Sequence, residues 1–306
     1  MIFSNSQSEI SVIIPAYNRA ASIVNTINSV LAQKGCIFEI IIVDDCSTDN
    51  TENAIRSLNN KIISFYKLHK NRGSQYARNY GAERAKSELL IFLDSDDALL
   101  PNSLYSRLKY FESNPDCESS YSDYEVCFKG VNRDYKKNVI VNDLTYRDVL
   151  TRLAVVPTSL LMIRKNVFNE IGKFDENLPA CHDDDIYIQC FKRNKCHYIS
   201  TVTVQFINHS GPRVGSSINL ANGRAIIIEK YKDEIIKELG SKGLRKHTVK
   251  NSIDYLFLND IKNYKKSWSK INSKSLSLYC FFIFESIKRI LFKLARRIRA
   301  MVYKFE

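Results

Sequence analysis

A chain of 306 residues with 44% hydrophobic side chains is long enough for one large domain or two small ones, each with a real core. Its formal net charge of +12 is unevenly placed: residues 1–218 hold 25 Lys+Arg against 25 Asp+Glu, while residues 219–306 hold 20 against 8. That asymmetry points to a nucleic acid or an anionic membrane as a partner of the last part rather than of the whole chain. The eight cysteines lack paired short spacings, in a chain too large to depend on disulfides, and read as reduced thiols. Cys181, His182, Cys190, Cys196 and His197 cluster in sequence, but without the closely spaced Cys pairs of a structural zinc site. Residues Met1 to Glu9 have neither the basic start nor the apolar core of a signal peptide, so a cytosolic location is expected.

The first hundred residues alternate short apolar runs with amphipathic segments, which predicts strands and helices of a mostly parallel sheet. Ile10 to Pro15 is a buried strand by its Val and Ile content. A helix follows with Ile23, Ile27, Val30 and Leu31 on one stripe and Gly35 as its stop. Phe38 to Val43 is the second strand, ending at Asp44 and Asp45 before Ser47, Thr48 and Asp49, good N-cap types for another helix. A third strand is expected near Ile62 to Leu68, then a helix after Gly73 with Ala77, Gly81 and Ala85 on one face, small enough for close packing on a sheet. Leu89 to Leu93 is the fourth strand, and it ends in Asp94-Ser95-Asp96-Asp97.

Pro101 is suited to be the first residue of the next helix, with Leu104, Leu108 and Phe111. Glu118 to Val141 is strand-like; Leu160 to Ile163 and Tyr198 to Ile207 are further strands around a helix with Ile186, Cys190 and Phe191. Beyond Asn219 only helices are expected.

Ligands of parallel α/β sheets bind beyond the carboxyl ends of the strands, and two of those ends here carry acidic clusters. No G-x-G-x-x-G follows the first strand and no G-x-x-x-x-G-K-[ST] occurs, so neither a dinucleotide site nor a P-loop is supported. Asp94, Asp96 and Asp97 offer hard carboxylate oxygens suited to Mg²⁺ or Mn²⁺ shared with substrate phosphates. The competing explanation is an acidic cap on the helix that Pro101 opens.

Four motifs stand in order: Ser11-Val12-Ile13-Ile14-Pro15-Ala16-Tyr17-Asn18; Ile41-Ile42-Val43-Asp44-Asp45-Cys46-Ser47-Thr48-Asp49; Asn71-Arg72-Gly73 with Ala77-Arg78-Asn79; and Phe92-Leu93-Asp94-Ser95-Asp96-Asp97. A fifth runs from Phe174-Asp175-Glu176 to His182-Asp183-Asp184-Asp185. Together they resemble the inverting family-2 glycosyltransferases of the GT-A fold, bacterial surface-polysaccharide type, over about residues 9–215. The resemblance implies an α/β, Rossmann-like GT-A domain with a mostly parallel sheet and flanking helices over residues 1–218, joined to a basic helical C-terminal region over 219–306.

Carried over position by position, the resemblance puts Pro15 and Tyr17 at the nucleobase pocket and Asp45 on the base. Arg78 would sit near the donor diphosphate or base. Asp94 and Asp96 become the Asp-x-Asp pair that touches ribose and metal, with Asp97 as a third acid. It makes Asp183 the catalytic base, with Asp184 or Asp185 as alternatives, because His182-Asp183 stands where the family reads Glu-Asp. Asn208-His209-Ser210-Gly211 is similar to the family's C-terminal metal-binding His, so Asp96 and His209 would hold Mn²⁺ or Mg²⁺. An alcohol is a poor nucleophile at neutral pH, so a carboxylate must take its proton as it attacks the anomeric carbon.

From Ser286 onward seven Lys+Arg face one acid, and Ile287, Ile290, Leu291, Leu294, Ile298, Met301, Val302 and Phe305 recur at helical spacing. Such a basic amphipathic helix is built to lie on an anionic leaflet, or to pack its stripe on protein. The apolar run Tyr279 to Phe284 is too short to span a bilayer. The expected partners are therefore a nucleotide-sugar donor, a UDP-sugar, a polyprenyl-diphosphate-linked saccharide acceptor and the inner face of the cell membrane. A nucleic-acid partner would explain the tail but not the acidic strand ends, and a non-catalytic sugar-nucleotide-binding domain stays open because of His182.

Overall fold

Continuous runs of Val and Ile form strands buried on both faces, because β-branched side chains suit a pleated surface covered by helices on each side. In the computed structural model, which describes residues 8–128, 135–153, 156–208, 218–271 and 282–287, β1 (Ile10–Ala16) is such a strand, buried at every position. It pairs in parallel with β2 (Phe38–Asp44) on one side and with β4 (Leu89–Phe92) on the other, and β2 pairs in parallel with β3 (Ile63–Lys67). The last β1–β4 pair is Ile13 with Phe92, so at Pro15 the ladder has a neighbour on one side only, a position that tolerates a residue without an N–H.

The sheet continues through shorter, mixed pairings in the order β3-β2-β1-β4-β8-β6-β9-β5, with β7 beside β6. Here β5 is Asp97–Leu99, β6 Ser119–Phe128, β7 Tyr135–Val139, β8 Met162–Arg164 and β9 Cys196–Asn208. Helices α1 (Ile23–Leu31), α2 (Thr51–Arg56), α3 (Ser74–Arg84), α4 (Ser103–Ser113), α5 (Tyr146–Arg152), α6 (Lys165–Glu170) and α7 (His182–Lys192) connect the strands. The expected α/β architecture and the order of its first four strands are as read from the sequence.

Three expectations are corrected. Pro101 does not open a helix: it lies in a turn, Asn102 takes a left-handed φ of 63°, and α4 starts at Ser103. The cluster at Asp94 to Asp97 therefore does not cap that helix, and Asp97 instead begins β5, paired with Phe206 of β9. Leu160 is not in a strand either, since Thr158–Leu160 forms a 3-10 turn and β8 begins two residues later. Helices α5 and α6 had no strong apolar period; α5 is set by a capping box in which Thr145 and Asp148 satisfy each other's backbone N–H groups.

The chain forms two compact units, one of residues 1–177 and 182–212, the other of 178–181 and 213–306. In the second, α8 (Ile218–Lys230), α9 (Lys232–Phe257, kinked where Gly240 takes φ 69°) and α10 (Ile261–Ser269) pack together. Their apolar centre is Val249, Ile253 and Ile271, with Phe257, Trp268 and Phe282 against it. The Trp268 and Phe282 rings meet edge to face with centroids 5.0 Å apart, a favoured arrangement of their quadrupoles. Gly223 lets α8 approach the 178–181 segment, because a Cβ there would lie 2.5 Å from the Ala180 carbonyl oxygen. No helix among the described residues is long and apolar enough to cross a membrane.

The small-residue face of α3 does what its composition predicts: Ala77, Gly81 and Ala85 are buried as α3 lies on the sheet. A Cβ at Gly81 would meet Cγ2 of Ile13 at 2.6 Å, and Ile13 is a fully buried, stiff β-branched residue with little room to yield. Replacing Gly in a helix gains at most about 1 kcal/mol, whereas overpacking costs about 1–3 kcal/mol. Gly81→Val should therefore lower the unfolding free energy by about 2 kcal/mol, read as a lower urea midpoint. An unchanged midpoint would show that α3 does not press on β1.

Candidate active site

Parallel pairing puts the carboxyl ends of β1, β2 and β4 on one edge of the sheet. At the end of β1, Pro15 is buried and Tyr17 is exposed. Asn18 accepts the Thr48 backbone N–H at 2.9 Å on its Oδ1, and its own N–H donates to Ser47 Oγ at 2.9 Å, which ties together the loops that follow β1 and β2. Asp45 donates its N–H to the Ala16 carbonyl at 2.8 Å, directly beside Tyr17.

The Asp45 carboxylate is 3% exposed and spans the loop before α3: Oδ1 accepts the Arg72 N–H and Oδ2 the Gly73 N–H, each at 2.7 Å. Burial pushes this carboxyl above its ordinary pKa, and the two amide donors pull against that shift. Asp45 thus fixes the start of α3 at Gly73, whose φ of 90° suits only glycine. A contact to a nucleobase would use the remaining lone pairs of the same carboxylate.

Fixing that start aims Arg78, on the second turn of α3, at the end of β4. Arg78 is 2% exposed, and its Nη2 donates to Asp94 Oδ1 at 2.5 Å while its Nη1 donates to Ser74 Oγ at 3.2 Å. Its Nε has no hydrogen-bond partner, and the guanidinium lies 5.4 Å from the Phe174 ring centroid. Asp94 stays partly exposed despite the pair. Asp96, also partly exposed, is 3.8 Å from Arg19 Nη2. Asp97, by contrast, is buried, and its Oδ2 accepts the Ser159 hydroxyl at 2.6 Å. Burial and then the charge of Asp94 push the Asp97 carboxyl well above the usual carboxylate range; Ser159 opposes this, and Asp96 and Asp183 add to it.

The second acidic motif starts α7. Asp184 and Asp185 are buried, whereas Asp183 is partly exposed. Asp183 Oδ1 accepts the Thr158 hydroxyl and lies 3.4 Å from His182 Nε2. Ser159, next in the same 3-10 turn, accepts the Asp94 N–H at 3.2 Å as it donates to Asp97. The structure thus brings together Arg78, Asp94, Asp96, Asp97 and Asp183 around Thr158 and Ser159. His209, the expected metal ligand, lies outside the described residues.

Sequence reasoning missed Thr158, Ser159, Gln75 and Arg19. Thr158 and Ser159 carried no signal, because a hydroxyl pair in an apolar stretch has no spacing rule. Arg19 could have been suspected from its place directly after the first motif. For a divalent ion, the donor set fits: two partly exposed carboxylates, Asp94 and Asp96, are of the hard-oxygen type. Among the described residues no three His, Cys, Asp or Glu side chains are grouped to hold a metal by themselves.

Known proteins give the site its context. The chain is 28% identical over 304 residues to an uncharacterised glycosyltransferase of Rickettsia typhi, covering 94% of this chain and 91% of that one. It is 33% identical over 159 residues to TuaG of Bacillus subtilis, a putative teichuronic acid biosynthesis glycosyltransferase, covering 51% and 62% of the two chains. The fold resembles that of S. aureus TarS 1–349, crystallised with UDP-GlcNAc, with a TM-score of 0.58 at 19% identity over 85% of this chain and 90% of that one. The sequence profile of glycosyl transferase family 2 matches residues 11–172, which include the sheet edge with Arg19, Asp45, Arg78, Asp94, Asp96 and Asp97 but not Asp183. The chain belongs to glycosyl transferase family 2.

Proposed function

We propose that this glycosyltransferase moves a sugar from a UDP-sugar to an acceptor hydroxyl with inversion, and that Asp183 is the base. The observation that carries the reading is the unequal exposure of the three acids at the start of α7: only Asp183 has an open side chain. A base must reach the proton it takes, and buried Asp184 and Asp185 do not present their carboxylates to a substrate. The acceptor oxygen attacks the anomeric carbon and its proton passes to Asp183. The bond to the diphosphate oxygen breaks, and the electron pair leaves with the nucleoside diphosphate. One displacement inverts the anomeric centre.

The donor identity is supported by the UDP-GlcNAc complex of the similarly folded TarS. In this reading Pro15, Tyr17 and Asp45 border the base, and Arg78 and Asp94 lie at the ribose and diphosphate. Asp96 and His209 would hold Mg²⁺ or Mn²⁺, which would supply electrostatic stabilisation of the leaving diphosphate. Teichuronic acid biosynthesis, named for TuaG, supports a lipid-linked saccharide as acceptor. Membrane attachment at the cytoplasmic face is supported by Ile283, Phe284 and Ile287, which are half or more exposed, and by the basic sequence after them, whose residues beyond 287 lie outside the described ones. The basic amphipathic pattern from Ser286 matches a helix lying in a headgroup region.

Three measurements test this. With a panel of nucleotide sugars, EDTA should abolish turnover and Mn²⁺ or Mg²⁺ restore it; full activity in chelator excludes the metal. Asp183→Asn should keep donor affinity while lowering kcat by about 10²–10⁴-fold, the usual worth of a general base. A nearly active Asp183→Asn alongside a dead Asp185→Asn would move the base to Asp185. Finally, truncation after Glu285 should release the protein from phosphatidylglycerol vesicles, since each basic residue at the surface contributes about 1 kcal/mol. Donor hydrolysis should persist, and a truncated protein that still sediments with vesicles excludes the tail as anchor.

A further inference from the structure

Helix α9 buries two stripes of different chemistry. Val249 and Ile253 belong to the apolar centre of the helical unit, whereas Thr248, Asn251 and Ser252 are buried too but polar. Buried polar groups need partners, and the hydroxyls have them. Ser252 Oγ lies 2.8 Å from the Thr248 carbonyl and 2.8 Å from Ser267 Oγ of α10, and the Thr248 hydroxyl donates to the Leu244 carbonyl at 3.0 Å. Asn251 is the exception. It is 2% exposed, and its Oδ1 has no hydrogen-bond partner among the described residues.

Asn251 lines a cavity of about 120 Å³ bounded by α8, α9 and α10. That is several times the roughly 30 Å³ of one water in the liquid, enough for a small polar group. Three kinds of side chain face it. Ala225 and Ile228 of α8 form an apolar wall, and Asn251 and Tyr255 of α9 with Ser267 of α10 form a polar one. Lys266, in the last turn of α10, and Lys270, at its C-cap, add positive charge, and both are exposed. Lys270 also meets Glu229 Oε2 at 2.7 Å, an exposed pair of the kind that holds a lysine only weakly. Tyr255 already donates its hydroxyl to Asn222 Oδ1 at 2.9 Å, so toward a ligand its oxygen only accepts. Asn251 Oδ1 likewise only accepts.

These groups set two demands. The two acceptors call for a ligand with a hydroxyl or an ammonium, while the lysines call for an anion and repel a second cation. A phosphate ester with a hydroxylated arm meets both, and one with an ammonium arm meets the first only against the charge of the lysines. We propose that this cavity binds a phosphoglycerol group, with Lys266 and Lys270 on the phosphate and a glycerol hydroxyl donating to Asn251 Oδ1, and that the group is the headgroup of a membrane lipid. The lipid source follows from α10 itself. Trp268, between the two lysines, packs edge to face on Phe282, so the exposed Ile283, Phe284 and Ile287 leave from the helix that carries the phosphate ligands. The site adds selectivity to the attachment proposed for the tail, which needs only charge and apolar area and does not tell one anionic headgroup from another.

The test compares full-length protein on vesicles of equal charge, made with phosphatidylglycerol or with phosphatidylserine, so that the contribution of the tail is the same in both. Wild type should bind phosphatidylglycerol about fivefold more tightly, the worth of one added hydrogen bond. Asn251→Leu, close in volume but with no acceptor, should lose that preference while keeping its binding to phosphatidylserine and its thermal midpoint. Soluble glycerol phosphate, followed by calorimetry, should bind wild type, and Lys266→Gln should weaken it about tenfold without altering donor hydrolysis. Lys266→Gln on the two vesicles also serves if Asn251→Leu does not fold, because Lys266 is exposed. Equal binding of wild type to the two lipids, with no binding of glycerol phosphate, overturns the site and leaves the attachment by the tail standing. Binding to neither lipid overturns both. Glycerol phosphate bound by wild type but not by Asn251→Leu, with no preference between vesicles, overturns the lipid and makes a soluble ester the ligand. A phosphatidylglycerol preference that survives in both Asn251→Leu and Lys266→Gln places the selectivity elsewhere and overturns the proposal.

Discussion

The site depends on one short turn. Thr158 and Ser159 present two hydroxyls between acidic motifs far apart in sequence, Thr158 to Asp183 and Ser159 to Asp97 and the Asp94 backbone. Without these contacts the end of β4 and the start of α7 would be two separate acidic segments repelling each other across the sheet edge. Each hydroxyl satisfies a carboxylate that the fold has partly or wholly removed from water, and an unsatisfied buried acid costs far more than a made hydrogen bond gains.

The second constraint is electrostatic. Burial first, and then the charges of Asp94, Asp96 and Asp183, push the Asp97 carboxyl well above the usual carboxylate range, so the fold carries the cluster with one acid biased toward its neutral form. The others are balanced from outside the cluster by Arg78 on Asp94 and Arg19 near Asp96. Burial raises the Asp97 carboxyl while Asp183 stays partly exposed, and this difference between chemically identical side chains is what separates a structural acid from a candidate base.

Arg78 shows how position converts structure into function. Asp45 fixes the Arg72–Gly73 turn, that turn starts α3, and α3 carries Arg78 to Asp94. The small residues Ala77, Gly81 and Ala85 let the helix lie close enough to the sheet for the guanidinium to arrive buried. A residue that looks like a ligand contact in the sequence, Asp45, is therefore also the anchor of the element that positions another.

Much of the fold was legible in the chain itself. Short runs of Ile, Val, Leu and Phe determine β1, β2 and β4, since a doubly covered parallel sheet hides them, and the small face of α3 announces its close packing. The acids at the ends of β2 and β4 were placed at one edge by the same logic, because parallel strands share a carboxyl end. What tertiary structure alone decided is where distant segments meet. Asp97 reads as the last of an acidic run, yet it pairs into β5 because β9, over a hundred residues later, supplies the neighbouring strand. Pro101 reads as a helix start, yet the turn at Asn102 intervenes because Leu100 is held by the Thr203 carbonyl. Among Asp183, Asp184 and Asp185 the sequence offers no distinction, since three equal carboxylates differ only in how far the fold buries each. Local pattern encodes burial and periodicity; pairing, shielding and the company of each charge arise only when the chain closes on itself.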